Sequence, residues 1–334
     1  MTLLRRCVLA VALALPLLAN AQVDTQTLRA AASRAPDLNF PDKVSELSFF
    51  TTPAMALYKP AGNGPFPALV LQHQCGGLGQ GKRQNQAMLD WARRAVRRGY
   101  VALVIDSLSQ RGVESVCMGA QGGVTPMRGV RDALQAAAYL ETFDFVDKAR
   151  IAHAGYSWGA MMGLGLSGKH WAEALGDGTR FAAAVSFYPV CSTLKLRNGA
   201  PFDVLNPDID HPLLVLMGEA DTEGPPRRMR RQTASRQGCR RAGAVVRLSG
   251  HHALLGLREP EQPQQDRRAW QPRGLPLQQA GHRRRRAPHV RVPRSGIAGQ
   301  TPLNRGMPAI KACTTTPAFC FCLLLSLYKD SSSR

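Results

Sequence analysis

The sequence predicts an α/β protein: a mostly parallel sheet with helices on both faces. Three observations point there. Short, nearly unbroken apolar runs recur over residues 66–73, 100–105, 151–154, 182–187 and 212–217. Segments with apolar residues at helical spacing lie between them. Several runs end in Gly, Asp or Gly-Gly rather than in a hairpin signal. Strands covered on both faces read as continuous apolar runs, and their alternation with helices is the pattern of a parallel sheet.

The elements follow in chain order. Arg5 and Arg6 precede an apolar run over 7–18, and Ala19-Asn20-Ala21 follows before Gln22. A charged start, a short apolar core and small residues at minus three and minus one predict a secretory signal peptide over 1–21. The run is shorter than the roughly 20 residues a membrane span needs, so no span is expected once the signal is cleaved. A periplasmic or secreted protein follows, and disulfides persist in those compartments.

Strand 66–73 ends in Gln74-Cys75-Gly76-Gly77. Segment 84–98 has helical character, with Ala87, Leu89, Trp91, Ala95 and Val96 among arginines expected to be exposed. Strand 100–105 ends at Asp106. Helix 128–140 repeats Val130, Ala133, Leu134, Ala137 and Leu140. Strand 151–154 runs into Gly155-Tyr156-Ser157-Trp158-Gly159 and then a small-residue helix over 160–167. Strand 182–187 is the fourth, and strand 212–217 ends in Gly218-Glu219-Ala220-Asp221. Chemistry gathers at the carboxyl ends of such strands.

Gly155 to Gly159 is G-x-S-x-G in the setting that gives it meaning, a sharp strand-to-helix turn. It offers Ser157 as a nucleophile beside the free N–H groups of a helix start. A serine hydroxyl needs a base, and the base an orienting acid. Asp221 stands just past a later strand, where that acid belongs, ahead of Glu219 and Glu223. An oxyanion hole needs two preorganised N–H groups. The amide of Trp158 is one candidate. Gln74 or Cys75, in the turn after the first strand, supplies the other. His73 precedes the serine and reads as a structural strand-end histidine. Cys75 and Cys117 both follow strand ends and make a candidate disulfide, with Cys191 a third cysteine of this region.

Four segments resemble the dienelactone hydrolase family of the α/β-hydrolase superfamily. They are Leu71 to Gly77, Asp106 to Gly112, Gly155 to Gly159 and Leu216 to Asp221. The resemblance spans about residues 66–223. It implies hydrolysis of small ester or lactone substrates through an acyl-enzyme, with no cofactor. Dienelactone hydrolases proper carry Cys at the nucleophile position. Ser157 makes this chain similar to the serine members.

Charge divides the chain. The 334 residues carry 43 basic and 23 acidic groups, for a net +20. Residues 1–223 hold 21 and 19 of these, a net +2; residues 224–334 hold 22 and 4, a net +18. Of the 22, 20 are Arg. The family pattern calls here for a helix, a last strand and a catalytic His in a Tyr-Pro-Gly-x-x-His-like segment. The sequence instead continues Gly224-Pro225-Pro226-Arg227-Arg228-Met229-Arg230-Arg231. The expected organisation is therefore a hydrolase domain over 22–223, truncated at its C-terminal strand and helix, and a disordered basic tail over 224–334.

An Arg-rich, Lys-poor tail is what GC-rich DNA yields when read out of frame, since most Arg codons are CGN. Shifting the frame by one base turns Met229 plus an Arg codon into a Cys codon. The same shift lets residues 249–257 read Pro-Gly-Thr-Thr-His-Cys-Trp-Asp-Cys. A frameshift near codon 223 is expected on that ground, and it leaves the chain impaired. The displaced His codon would overlap Ala253 and Leu254. His251 and His252 lie nearby, and His252 is the candidate base in the frame as given.

Other readings of the tail are weaker. Arg283 to Arg286 could meet phosphates, but few aromatics are interleaved, and no specific nucleic-acid partner is expected. Cys320-Phe321-Cys322 has no partner pair for a metal, and none is expected. The alternative to an enzyme is a non-catalytic exported protein whose basic tail binds polyanions.

Overall fold

A computed structural model of the chain describes residues 23–79, 84–190, 193–195, 201–205, 208–218, 221 and 243–248. The expected signal peptide, Glu219, Glu223, Cys191, His252 and the rest of the basic tail apart from 243–248 lie outside the described residues.

The chain enters through α1 (Thr25–Ala32), whose first turn is capped by Asp24 accepting from the Thr27 amide at 2.9 Å. Strands β1 (Ala56–Tyr58), β2 (Phe66–Gln72) and β3 (Val101–Ile105) follow, with α2 (Gln86–Arg97) between the last two. Helix α3 (Pro126–Glu141) starts where the sequence says it must. Thr125 caps it by accepting from Arg128 N at 3.1 Å, and Pro126 occupies the first turn, where no intrahelical donor is needed. Then come β4 (Val146–Tyr156), α4 (Trp158–Leu166), α5 (Lys169–Leu175), β5 (Ala183–Phe187), the short pair β6 (Thr193–Lys195) and β7 (Pro201–Asp203), β8 (Leu213–Gly218) and β9 (Gly243–Leu248).

Seven strands form one sheet in the order β1-β3-β2-β4-β5-β8-β9. Only β1 is antiparallel, pairing Leu57 with Leu103. The other neighbours are parallel, as the unbroken apolar runs predicted. Strands β6 and β7 form a separate antiparallel pair.

Alternation along each strand divides the core. Ala68 and Val70 join α1, α3, α4 and α5 on one face. Leu69 and Leu71 turn to the other, where Met88, Leu89, Trp91, Ala92 and Ala95 of α2 pack on them with Ala152, Ala154, Leu214 and Leu216. Among the described residues α2 is the one helix on that second face.

The sequence reading did not have the short strands β1, β6 and β7, and it placed no strand beyond residue 217. Gly243–Leu248 pairs in parallel with β8, from Leu213↔Gly243 to Gly218↔Leu248. Its two adjacent valines supply the β propensity; the flanking Arg and Gly obscured it in the sequence. Residues 222–242, which join the two strands, are outside the described part. Among the described residues no helix is long and apolar enough to cross a membrane.

Candidate active site

Four neighbouring strands, β2, β4, β5 and β8, bring the candidate residues to one edge of the sheet. Gln74 follows β2, Ser157 follows β4 and Asp221 follows β8.

Ser157 ends β4 and begins α4 with φ 49° and ψ −106°. A non-glycine residue at positive φ is strained, and the surroundings must hold it there. Two sets of contacts do so. The Ser157 amide donates to Phe187 O on β5 at 3.0 Å, and its carbonyl accepts from Met161 N at 3.0 Å. The flanking glycines are needed for room. A Cβ on Gly155 would lie 2.1 Å from Gly159 O. A Cβ on Gly159 would lie 2.5 Å from Gln72 O and 2.6 Å from His73 O. Those are backbone atoms, so nothing flexible can yield. The G-x-S-x-G pattern is thus the footprint of α4 crossing the ends of β4 and β2. Ser157 itself keeps partial exposure while its neighbours are buried. Trp158 stands in the first turn of α4, where amides have no intrahelical acceptor.

The turn after β2 is held by polar links. Gly77 N donates to Gln74 O at 3.0 Å, closing the turn. His73 lies fully buried, with Nδ1 at 2.6 Å from Gln74 O and Nε2 at 3.0 Å from Ser107 N. The partners fix its tautomer: Nδ1–H donates to the Gln74 carbonyl, and Nε2 accepts from the Ser107 amide. Burial pushes its pKa down, against the opposing pull of Asp106, so the ring stays neutral. It stacks on Trp158 with ring centroids 5.8 Å apart. Both ring nitrogens are engaged, so His73 serves the framework, as its place ahead of the serine suggested. Asn85 adds a bond from Nδ2 to Gln74 Oε1 at 2.7 Å.

Cys75 and Cys117 form a disulfide across 42 residues of sequence. Val116 N donates to Cys75 O at 2.9 Å beside it.

Asp106 sits behind this turn. Burial opposes its ionisation, but the Ser109 hydroxyl and the Leu108 and Ser109 amides outweigh it and lower its pKa. Arg111 reaches Ser107 O at 2.8 Å and grips Asp132 with both terminal nitrogens, at 2.7 and 2.8 Å. Arg128, itself 1% exposed, donates to Asp132 at 2.8 Å and to Asp37 at 2.7 Å. Two buried cations therefore share one buried carboxylate.

Asp221 is buried, and its amide donates to Gly218 O at 3.2 Å. The described histidines are all committed elsewhere. His153 is fully buried with Nε2 at 3.0 Å from Gln72 Oε1; burial lowers its pKa to about 3. His170 bonds Val23 O, and His211 lies against Asp210 and Arg180.

The sequence reading missed Asn85, the buried arginine pair and Tyr188. Tyr188 is the second non-glycine residue at positive φ, 43°, and its amide donates to Leu216 O at 2.7 Å. No short-range sequence signal marks it. For the arginines there was one: Arg128 and Asp132 stand four apart on α3, the spacing of an ion pair on one helix face.

The dienelactone hydrolase family pattern matches residues 54–273. The chain belongs to the dienelactone hydrolase family. The match runs beyond residue 223, where the sequence motifs give out, and includes β9. By family resemblance the protein is a carboxylic ester hydrolase. Among solved structures it is similar to a candidate dienelactone hydrolase of Klebsiella pneumoniae, at 18% identity over 60% of this chain and 82% of that one, with a TM-score of 0.46. It is also similar to a thermophilic esterase of Thermogutta terrifontis, at 19% identity over 59% of this chain and 76% of that one, with a TM-score of 0.45. No curated protein matches the chain.

Proposed function

We propose that the protein is an exported serine esterase of this family, acting on small ester or lactone substrates through an acyl-enzyme on Ser157. The observation that carries this is the strained serine at the β4–α4 elbow, partly exposed and walled by two glycines with no room for a side chain. In this reading Ser157 Oγ attacks the acyl carbon as a base takes its proton. The carbonyl oxygen becomes an oxyanion facing the amides of Trp158 and Gln74. Collapse returns the proton to the leaving alkoxide and leaves the acyl-serine. Water, deprotonated by the same base, then releases the acid. Asp221 is the orienting acid.

The base is the open position. His252 is its candidate in the frame as given, and it lies outside the described residues. The 20 to 2 excess of Arg over Lys after residue 223 supports a second part of the proposal: the gene is read one base out of phase from about codon 223. The family's Pro-Gly-x-x-His segment then lies in the other phase, and this chain turns over slowly. A triad without its base keeps only the smaller rate enhancement of its oxyanion hole.

The experiment compares two full chains, this one and one in which the codons after 223 are read in the shifted phase. Each is exposed to a fluorophosphonate probe and assayed on p-nitrophenyl acetate. The shifted chain is expected to label at Ser157 and to exceed this chain in kcat by about 10³-fold or more. Equal labelling and turnover would place a working base in the frame as given. Labelling in neither would sink Ser157 as nucleophile.

A further inference from the structure

We propose that the Cys75–Cys117 disulfide is a positioning bond of the oxyanion hole, so that its reduction slackens the turn and weakens the site. The inference rests on the reading of Gln74 and its turn as the second oxyanion donor.

The geometry is that of a turn held from three sides. From below, the fully buried His73 donates Nδ1–H to the Gln74 carbonyl. A trans peptide carries its C=O and the following N–H on opposite sides, so this bond sets which way the Cys75 N–H faces, the turn's other candidate donor beside the Gln74 amide. From the α2 side, Asn85 holds the Gln74 side chain. The third side is different in kind. Cys75 is bonded to Cys117, and its carbonyl accepts from Val116 N at 2.9 Å. Cys75 rests on the core and Leu108 lies against Gly77, but the 113–120 segment that carries Cys117 is mostly exposed. Met118, the next residue after Cys117, is 96% exposed. Within the segment Val116 is buried in the core and Val113 packs on it, but the stretch around Cys117 is not held by burial. Its attachment to the turn is one covalent bond and one adjacent hydrogen bond.

Two consequences follow from that placement. The bond can hold the turn only while it is oxidised, which suits an exported protein. It is also open to attack, since Cys117 is exposed while Cys75 is partly covered. A dithiol reductant attacks one sulfur, passes through a mixed disulfide and closes on itself. It leaves two cysteine thiols and one cyclic disulfide, two electrons having moved to the protein. An oxyanion donor is worth about 10²–10³ in kcat when removed, so a donor merely loosened should cost about tenfold or more.

The test uses the full chain, oxidised and then treated with dithiothreitol, together with a Cys75→Ser/Cys117→Ser double variant. All are held well below the unfolding temperature of the least stable form. Peptide-level amide hydrogen exchange is followed over 73–79 and, as a control, over 155–161. Ester turnover and the rate of fluorophosphonate labelling at Ser157 are measured beside it. The expected result is faster exchange confined to 73–79 in both the reduced chain and the double variant. Labelling and kcat fall about tenfold or more, and KM changes less than about twofold. Unchanged exchange at 73–79, or an equal rise at 155–161, overturns the proposal. A local rise with undiminished labelling also overturns it. If the oxidised chain itself does not label, the serine esterase reading fails on its own, and the exchange arm still decides whether the bond positions the turn.

Discussion

The elbow after β4 and the turn after β2 touch each other, yet they are fixed by opposite means. The elbow is held by exclusion. Gly155 and Gly159 sit where any added carbon would enter backbone, and Ser157 between them keeps its positive φ. The turn is held by attachment, through His73, Asn85, the Arg111–Asp132 cluster behind it and a disulfide. Exclusion is insensitive to pH and redox state but intolerant of a methyl group. Attachment tolerates changes of shape but depends on the protonation and oxidation of particular groups.

The largest effect should come from the polar side. Asp132→Ala leaves Arg111 and Arg128 as buried cations without their shared carboxylate. Removing one partner of a buried pair costs about 3–5 kcal/mol. Urea unfolding at neutral pH should show a loss of that size, and a loss under about 1 kcal/mol would mean that water replaces the carboxylate. Next is the steric side. Gly159→Ala presses a Cβ into the Gln72 and His73 carbonyls, and overpacking of this kind costs about 1–3 kcal/mol. The same melts should show it, with no dependence on pH between 5 and 8.

The smallest effect sharpens the contrast through protons. His73 and His153 both have pKa values lowered by burial, His153 to about 3. A group depressed in the folded state contributes stability that is present above its unfolded pKa, near 6.5, and is lost as pH falls below it. His153, with its folded value near 3, weakens the fold by about 1.4 kcal/mol per pH unit in that window. Between pH 6.5 and 5 His153 alone should account for roughly 2 kcal/mol. Denaturation midpoints at pH 7.5 and 5.0 test this. His153→Gln should lose less between the two pH values than the parent; an equal loss would mean that His153 is not the titrating group.

How much of this could be read beforehand follows from the same contrast. The long parallel strands were legible because burial on both faces leaves few polar positions in them. Gly155 and Gly159 were legible because exclusion demands glycine, and glycine is visible. Short elements were not: α1, β1 and α5 are too brief for periodicity to show. β9 was hidden by Arg and Gly around two valines. Attachments over long separations leave little local trace. Asn85 looks like any helix-start residue, and nothing near Tyr188 announces its left-handed backbone. The disulfide was an exception, since cysteines after strand ends are few enough to pair by inspection.

That bond also acts where no structure is present. Its 42-residue span encloses all of α2 and β3, so the oxidised chain carries a covalent ring around the helix and returning strand of the β2–α2–β3 crossover even when denatured. By the chain-entropy account, a ring of this size removes about 4 kcal/mol of disorder from the denatured ensemble. The crossover's ends are tethered before any of its hydrogen bonds form.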